Sequence, residues 1–192
     1  MTGKDYVELF IFIVVLLASA KPLGVYMDRV YAGERTLLSP ILSPIEKLIY
    51  RILGVRSEED QHWTRYAGCV VIFSAVSLVF TYVILRLQQK LPLNPAGMGV
   101  VVQHLAFNTA MSFTTNTNWQ SYGGESTMSY LSQMVALVFH NFTSAAVGMG
   151  VAVALIRGLA SRQANGIGNF WSDLVRGNLY ILLPICTVLA VF

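Results

Sequence analysis

The chain has 192 residues, of which 55% are hydrophobic and 12% charged, whereas a soluble domain carries about 25% charged residues. That composition excludes an ordinary soluble domain and points to a membrane protein built as one domain or one unit of an assembly. The formal charge is +3, but the basic residues lie between apolar runs, where they report membrane orientation and not a nucleic-acid partner.

The first apolar run is LFIFIVVLLASA, residues 9–20. A span needs about 20 residues. Tyr6 and Val7 before the run, and residues 22–27 after it, extend it to an N-terminal transmembrane helix over 1–27, with Lys21 snorkelling. Lys21-Pro22 stands where a signal peptide would carry small residues for cleavage, so no cleavable signal is expected.

Residues 28–66 are rich in charged side chains of both signs, and contain SPIEKLIYRILG. Ser43 reads as an N-cap, Pro44 as the first helical residue and Glu46 as the partner that closes a capping box. Ile45, Leu48, Ile49, Ile52 and Leu53 are spaced for one helical face, and Gly54 can stop the helix. The expectation is an amphipathic helix over 43–53. It lies on the membrane surface or the protein's own underside, or it offers a docking face to a partner subunit.

The second run, AGCVVIFSAVSLVFTYVIL, covers 67–85 without a charge. The outward-facing segment 86–127 follows. KLPLNPAGMG breaks regular structure, and then VVQHLAFNTAMSF, residues 101–113, is too short to span and suits a re-entrant helix. Thr114, Thr115, Asn116, Thr117 and Asn118 come next; they are poor helix formers. Non-helical backbone at membrane depth is tolerated only where protein buries it or water reaches it. A short helix leading into such a strip is how a cation filter is built, with carbonyl oxygens replacing the hydration shell. The strip has no charged side chain, which suits a monovalent cation; a divalent site would bring carboxylates. The other reading is an exposed extracellular loop.

The third run, residues 128–156, has 29 residues without a charge. It is longer than a perpendicular span needs, so it should tilt, kink or project. His140, Asn141, Thr143 and Ser144 lie near its middle, and Ala145, Ala146, Gly148 and Gly150 allow close helix packing. His140 is either a packed interior histidine or part of an ion pathway. His104 and His140 have no cysteine or carboxylate at metal-ligand spacing, so no other metal site is expected. Ser112, Ser129 and His140 do not make a nucleophile, base and orienting acid, and no GxxxxGK phosphate loop occurs.

The fourth run, LYILLPICTVLAVF, covers 179–192 and has no polar flank, so the chain is expected to be the front part of a longer protein. Cys69 and Cys186 lie inside apolar runs and are expected to be buried small hydrophobes, not a disulfide. Seven basic residues fall in 21–66 (Lys21, Arg29, Arg35, Lys47, Arg51, Arg56, Arg65) and three in 157–178 (Arg157, Arg162, Arg176), against Lys4, Arg86 and Lys90 elsewhere. The 21–66 and 157–178 segments are therefore expected in the cytoplasm, with the N-terminus extracytoplasmic.

NTAMSFTTNTNWQSYGGESTMSYLSQMVALVFHNFTSAAVGMGVAVALIRGLA resembles the potassium-binding, channel-like subunit family (KdpA) of the bacterial Kdp potassium-importing P-type ATPases. TNTNWQSYGGE is the most specific part. ASAKPLGVYMDRVYAGE, LIYRILGV, LPLNPAGM and GNFWSDLVRGNLYILLP extend the resemblance over essentially the whole chain. It implies an all-α polytopic membrane protein of the superfamily of potassium transporters, with four helix–pore-loop–helix repeats around one pore. Residues 67–156 would be the first repeat, with a pore helix about 101–113 and a filter at 114–118. A cytoplasmic loop over 157–178 and the start of the next transmembrane helix at 179–192 would follow. The family's filter strand falls on Thr115, Asn116, Thr117 and Asn118. Carbonyls of Thr115, Asn116 and Thr117 are the implied potassium ligands, Thr114 is a further candidate, and Gln120 shapes and supports the filter mouth.

The implied role is to select extracytoplasmic potassium and deliver it to the ATP-hydrolysing P-type subunit, in a bacterial inner (plasma) membrane. This chain itself would have no catalytic site and bind no ATP. Small accessory subunits and lipid are the other implied neighbours. Filter strands two to four are absent from these 192 residues, and a single strand cannot surround an ion. The alternatives are a stand-alone channel or secondary transporter of the same superfamily, and a membrane fragment without an ion site.

Overall fold

The computed structural model describes residues 3–160 and 166–191, and all regular structure among them is helical. Four helices are long and apolar enough to cross a membrane: α1 (Gly3–Ala32), α3 (Trp63–Leu87, with a single 3₁₀ turn to Lys90), α5 (Ser132–Ala160) and α6 (Phe170–Leu189). Between them lie α2 (Ser39–Leu53) and α4 (Gln103–Thr114). The chain is a multi-pass membrane protein.

α1 has 30 residues and runs through Pro22 without a break. It ends at Gly33, whose φ of 75° continues no right-handed helix. Only Val30 and Tyr31 of α1 are buried; Phe10, Phe12 and Leu17 face outward, as lipid contact requires.

α2 starts earlier than the capping box implied. Ser39-Pro40 offers the same start signal as Ser43-Pro44, and Pro40 occupies the first turn while Pro44 sits inside the helix. Pro44 has no N–H to give the Pro40 carbonyl one turn back. Ser43 is therefore no N-cap, and Glu46 does not close a capping box. Gly54 ends the helix as expected, at φ 65° with its N–H on the Tyr50 carbonyl.

The long third run does depart from a regular helix. α5 opens with wide π turns over Ser132–Val138, a widening that redirects a helix. The fourth span begins at Phe170, not at 179, because Asn169 caps it: its Oδ1 accepts from the N–H groups of Trp171 and Ser172. The segment expected as a loop over 157–178 is thus mostly helix. Its residues 161–165, including Arg162, lie outside the described residues.

Three apolar clusters join the helices. Leu85, Val101, Ala106, Phe113, Met128 and Leu137 pack α3, α4 and α5 together. Tyr66, Ala146, Ala154, Phe170 and Leu174 join α3, α5 and α6. Val30, Tyr31, Tyr180 and Ile181 hold α1 to α6. Gly150 permits one close approach, since a Cβ there would lie 3.1 Å from Tyr66 Oη. Gly148 meets nothing within 4 Å, so it is not a packing position within this chain. Cys69 is half-buried against the second cluster, but Cys186 is exposed on α6 and is not the buried hydrophobe expected.

Two ion pairs add further ties, one between α5 and α6 and one between α2 and α6. Asp173, 1% exposed, accepts from Arg157 at 2.8 and 3.1 Å and from Tyr66 Oη at 3.0 Å. Arg157 also donates to the Tyr31 carbonyl at the end of α1. Glu46 accepts from Arg176, Tyr50 and Tyr180.

Candidate functional site

After α3 the chain doubles back. The Val101 N–H donates to the Leu85 carbonyl at 3.3 Å, and Arg86 donates to the Val101 carbonyl at 2.6 Å. α4 therefore runs beside α3. Its 12 residues make about 18 Å of helix, too short to cross a bilayer. Gln88 sets this return. It is fully buried; its Nε2 donates to the carbonyls of Gly99 and Thr127, and its Oε1 accepts from the Ser129 N–H and Ser132 Oγ. One side chain thus fixes the segment before α4 against the start of α5. Sequence reasoning missed it; a polar residue closing an apolar run was the only signal.

The end of α4 carries the polar strip. The N–H of Thr115 donates to the Met111 carbonyl at 3.0 Å, and that of Asn116 to the Phe113 carbonyl at 3.3 Å. Those of Thr117 and Asn118 both reach the Ser112 carbonyl, at 3.0 and 3.2 Å. No peptide bond here is cis, and in a trans peptide the carbonyl points opposite to the N–H. Four N–H groups drawn back onto the helix end therefore turn the carbonyls of Thr114, Thr115, Asn116 and Thr117 away from it. No hydrogen bond from the described residues reaches those four oxygens. They extend the negative end of the α4 dipole.

The backbone achieves this by alternating hand. Thr115 has φ −87°, while Asn116 and Asn118 have φ 59° and 57°. Asparagine tolerates the left-handed region better than other residues with a Cβ, which is the physical reason for Asn at alternate positions. Both bounds differ from the sequence reading of 101–113: α4 starts at Gln103 and Thr114 is its last residue, so within the strip only 115–118 is non-helical.

The side chains have distinct surroundings. Thr115 Oγ1 donates to the Met111 carbonyl at 2.8 Å and lies 3.1 Å from Thr117 Oγ1. Asn116 Oδ1 lies 3.2 Å from Ser144 Oγ on α5. Thr114 Oγ1 and Asn118 Oδ1 are buried without a partner among the described residues. Ser112 Oγ donates to the Trp119 carbonyl at 3.0 Å and anchors the far side of the strip. Gln120 follows, exposed and without a hydrogen bond to the described residues. Burial pushes the Tyr122 hydroxyl up to about 12, so no phenolate charge forms beside the strip near neutral pH. His140 is 1% exposed, with Nδ1 2.8 Å from the Ala136 carbonyl and 3.2 Å from Thr81 Oγ1. Its Nε2 is buried without a partner among the described residues.

A neutral set of carbonyls that takes no hydrogen bond from the described residues can coordinate a cation; it offers nothing to an anion. The family model described as KdpA, Potassium-transporting ATPase A subunit, matches residues 10–192. A potassium-transporting ATPase potassium-binding subunit of Granulibacter bethesdensis is 55% identical over 192 residues, covering 100% of this chain and 34% of that protein. The protein of the same description from Methylorubrum extorquens is 54% identical with the same coverage. That of Acidobacterium capsulatum is 54% identical over 190 residues, covering 99% of this chain and 32% of its own length. The chain spans about a third of the length of the curated relatives it matches.

Proposed function

The chain belongs to the family of potassium-transporting ATPase A subunits, and on that footing we propose that residues 114–118 form one strand of a potassium selectivity filter. Carbonyls of Thr115, Asn116 and Thr117 replace part of the ion's hydration shell, the Thr114 carbonyl extends the set, Asn118 closes the strand, and Gln120 lines the mouth. The observation that carries this reading is the set of four N–H groups bonded back to Met111, Ser112 and Phe113, which frees the carbonyls for an ion without any charged side chain.

Residues 67–156 are, in this proposal, the first helix–pore-loop–helix repeat, and α1 is an additional N-terminal span. The rest of a family-length protein supplies the other filter strands. Potassium is the transported ligand; ATP binds and is hydrolysed on a separate P-type subunit, to which the ion passes, with small accessory subunits alongside. The N-terminus and 86–127 face the outside of a bacterial inner membrane, where the strand meets its ion, and the seven Lys and Arg residues of 21–66 support that orientation.

The test is potassium-limited growth of cells that lack their own uptake systems and express the partner subunits. A family-length protein carrying this segment restores growth. Gln120→Arg, which places a cation at the mouth, raises the potassium requirement about tenfold, the equivalent of roughly 1.4 kcal/mol. Unchanged potassium affinity and unchanged sodium discrimination in that variant would remove Gln120 from the mouth. Rescue by the 192-residue chain alone would mean that it assembles a pore by itself.

A further inference from the structure

We propose that Ser144 on α5 is a positioning residue for ion selection: its hydroxyl holds the side chain of Asn116 and thereby fixes the left-handed turn that aims the filter carbonyls. The proposal rests on the filter reading above.

Ser144 is 5% exposed. Its Oγ lies 2.5 Å from the His140 carbonyl, one turn back on α5, and 3.2 Å from Asn116 Oδ1. A hydroxyl has one proton, and here two acceptors share it. The bond to the His140 carbonyl fixes the serine rotamer, so the second acceptor is met from a fixed direction.

The anchor is itself immobilised. His140 is locked through Nδ1 to the Ala136 carbonyl and to Thr81 Oγ1 on α3. Within the strip the other side-chain bonds are local: Thr115 Oγ1 reaches only Met111, Ser112 and Thr117. Among the described residues, Asn116 is the one strip side chain bonded to another membrane-spanning helix. The backbone N–H bonds set the fold of the strip, and Ser144 sets its position against α3 and α5. Ions of similar size differ in binding through small shifts of carbonyl position, so ion preference is the property most exposed to losing this bond.

The experiment uses a family-length protein carrying this segment, purified with its partner subunits. ATP hydrolysis is titrated with K⁺, Rb⁺ and NH₄⁺ for Ser144→Ala, Ser144→Cys, Asn116→Gly and the Ser144→Ala/Asn116→Gly double variant. Asn116→Gly keeps the positive φ and deletes the side chain. Ser144→Ala is expected to raise the half-saturating K⁺ concentration about three- to tenfold, the span of one hydrogen bond. It also narrows the K⁺/Rb⁺ preference, and it adds nothing to Asn116→Gly. Ser144→Cys, with a weaker donor, falls between parent and Ser144→Ala. Additive effects in the double variant overturn the proposal. So does an unaltered K⁺/Rb⁺ ratio in Ser144→Ala when Asn116→Gly alters it; the filter reading then survives. Loss of complex yield with an unaltered ratio in the surviving complex marks Ser144 as structural only. If Asn116→Gly and Gln120→Arg both leave ion preference untouched, the filter reading fails, and the proposal with it.

Discussion

Glu46 Oε1 accepts a hydrogen bond from Arg176 Nε at 2.9 Å, joining α2 to α6 across 130 residues of sequence. Tyr50 and Tyr180 each donate to the same carboxylate at 2.8 Å. Three donors on one largely buried carboxylate make the pair costly to break from one side only. Glu46→Ala leaves the Arg176 guanidinium without its partner and is expected to cost about 3 kcal/mol. The unfolding midpoint in detergent is the measurement. An unchanged midpoint would mean that α2 is not held to α6 by this pair.

The same carboxylate gives a pH dependence. Burial pushes the Glu46 carboxyl up, but hydrogen bonds from Arg176, Tyr180 and Tyr50 outweigh burial and hold it below its ordinary value. A depressed folded-state value means stabilisation that is complete above the unfolded carboxyl value, about 4.3, and is lost as pH falls through the folded one. The parent midpoint should fall as pH drops below about 4.3, and the Glu46→Gln variant should show a flatter dependence in that window. Parallel curves for the two proteins would exclude Glu46 as the titrating group.

Gly150 and Gly148 predict opposite outcomes for one substitution. A Cβ at Gly150 would lie 3.1 Å from Tyr66 Oη and 3.4 Å from Asp173 Cβ, while one at Gly148 meets nothing within 4 Å. Tyr66 cannot retreat without weakening its bond to Asp173. Gly150→Ala should cost about 1–3 kcal/mol and Gly150→Leu should abolish assembly of the spans, whereas Gly148→Ala leaves the unfolding midpoint of this chain alone. Equal effects at both sites would show that helix propensity, not the contact with α3 and α6, decides.

The four spans were legible because a bilayer demands charge-free length, and the sequence shows it directly. Their ends were not. Arg157 and Arg176 were read as loop charges, yet Arg157 pairs with the buried Asp173 among the packed helices, and α6 starts nine residues before the apolar run, capped by Asn169. Two Ser-Pro pairs four residues apart carry the same helix-start signal, and the true partner of Glu46 is too distant in sequence for any local motif to name. A non-helical strip was legible from the short helix before it and the span behind it, although Thr114 belongs to α4. Its alternating backbone hand was hidden, because Asn was read as a poor helix former when its tolerance of positive φ is what matters. Ser144 and Gln88 make contacts that form only when α3, α4 and α5 come together.

Asn118 tests the backbone argument apart from any side-chain bond. Its φ is 57°, and its Oδ1 has no partner among the described residues. Asn118→Gly keeps the left-handed turn at little cost, whereas Asn118→Val forces a β-branched residue into it at a cost of about 1–3 kcal/mol. In a family-length complex, potassium-stimulated ATP hydrolysis should stay near parental affinity for the glycine variant and weaken at least fivefold for valine, roughly 1 kcal/mol. The reverse order would make the amide, not the backbone, the feature that matters.

Gln88 yields a prediction for the return of α4 beside α3. Its amide makes two donations, to the Gly99 and Thr127 carbonyls, and accepts twice, from the Ser129 N–H and Ser132 Oγ. Gln88→Leu keeps much of the volume and strands those four groups, each at about 1–3 kcal/mol, less whatever Ser129 and Ser132 recover by bonding each other. Gln88→Glu keeps the two acceptances and loses both donations, so the Gly99 and Thr127 carbonyls face an oxygen in place of the amide. Unfolding midpoints in detergent of both variants and of the parent decide the matter, and both variants should unfold below the parent. Parental midpoints would show that the return of α4 beside α3 does not depend on the two donations from Gln88.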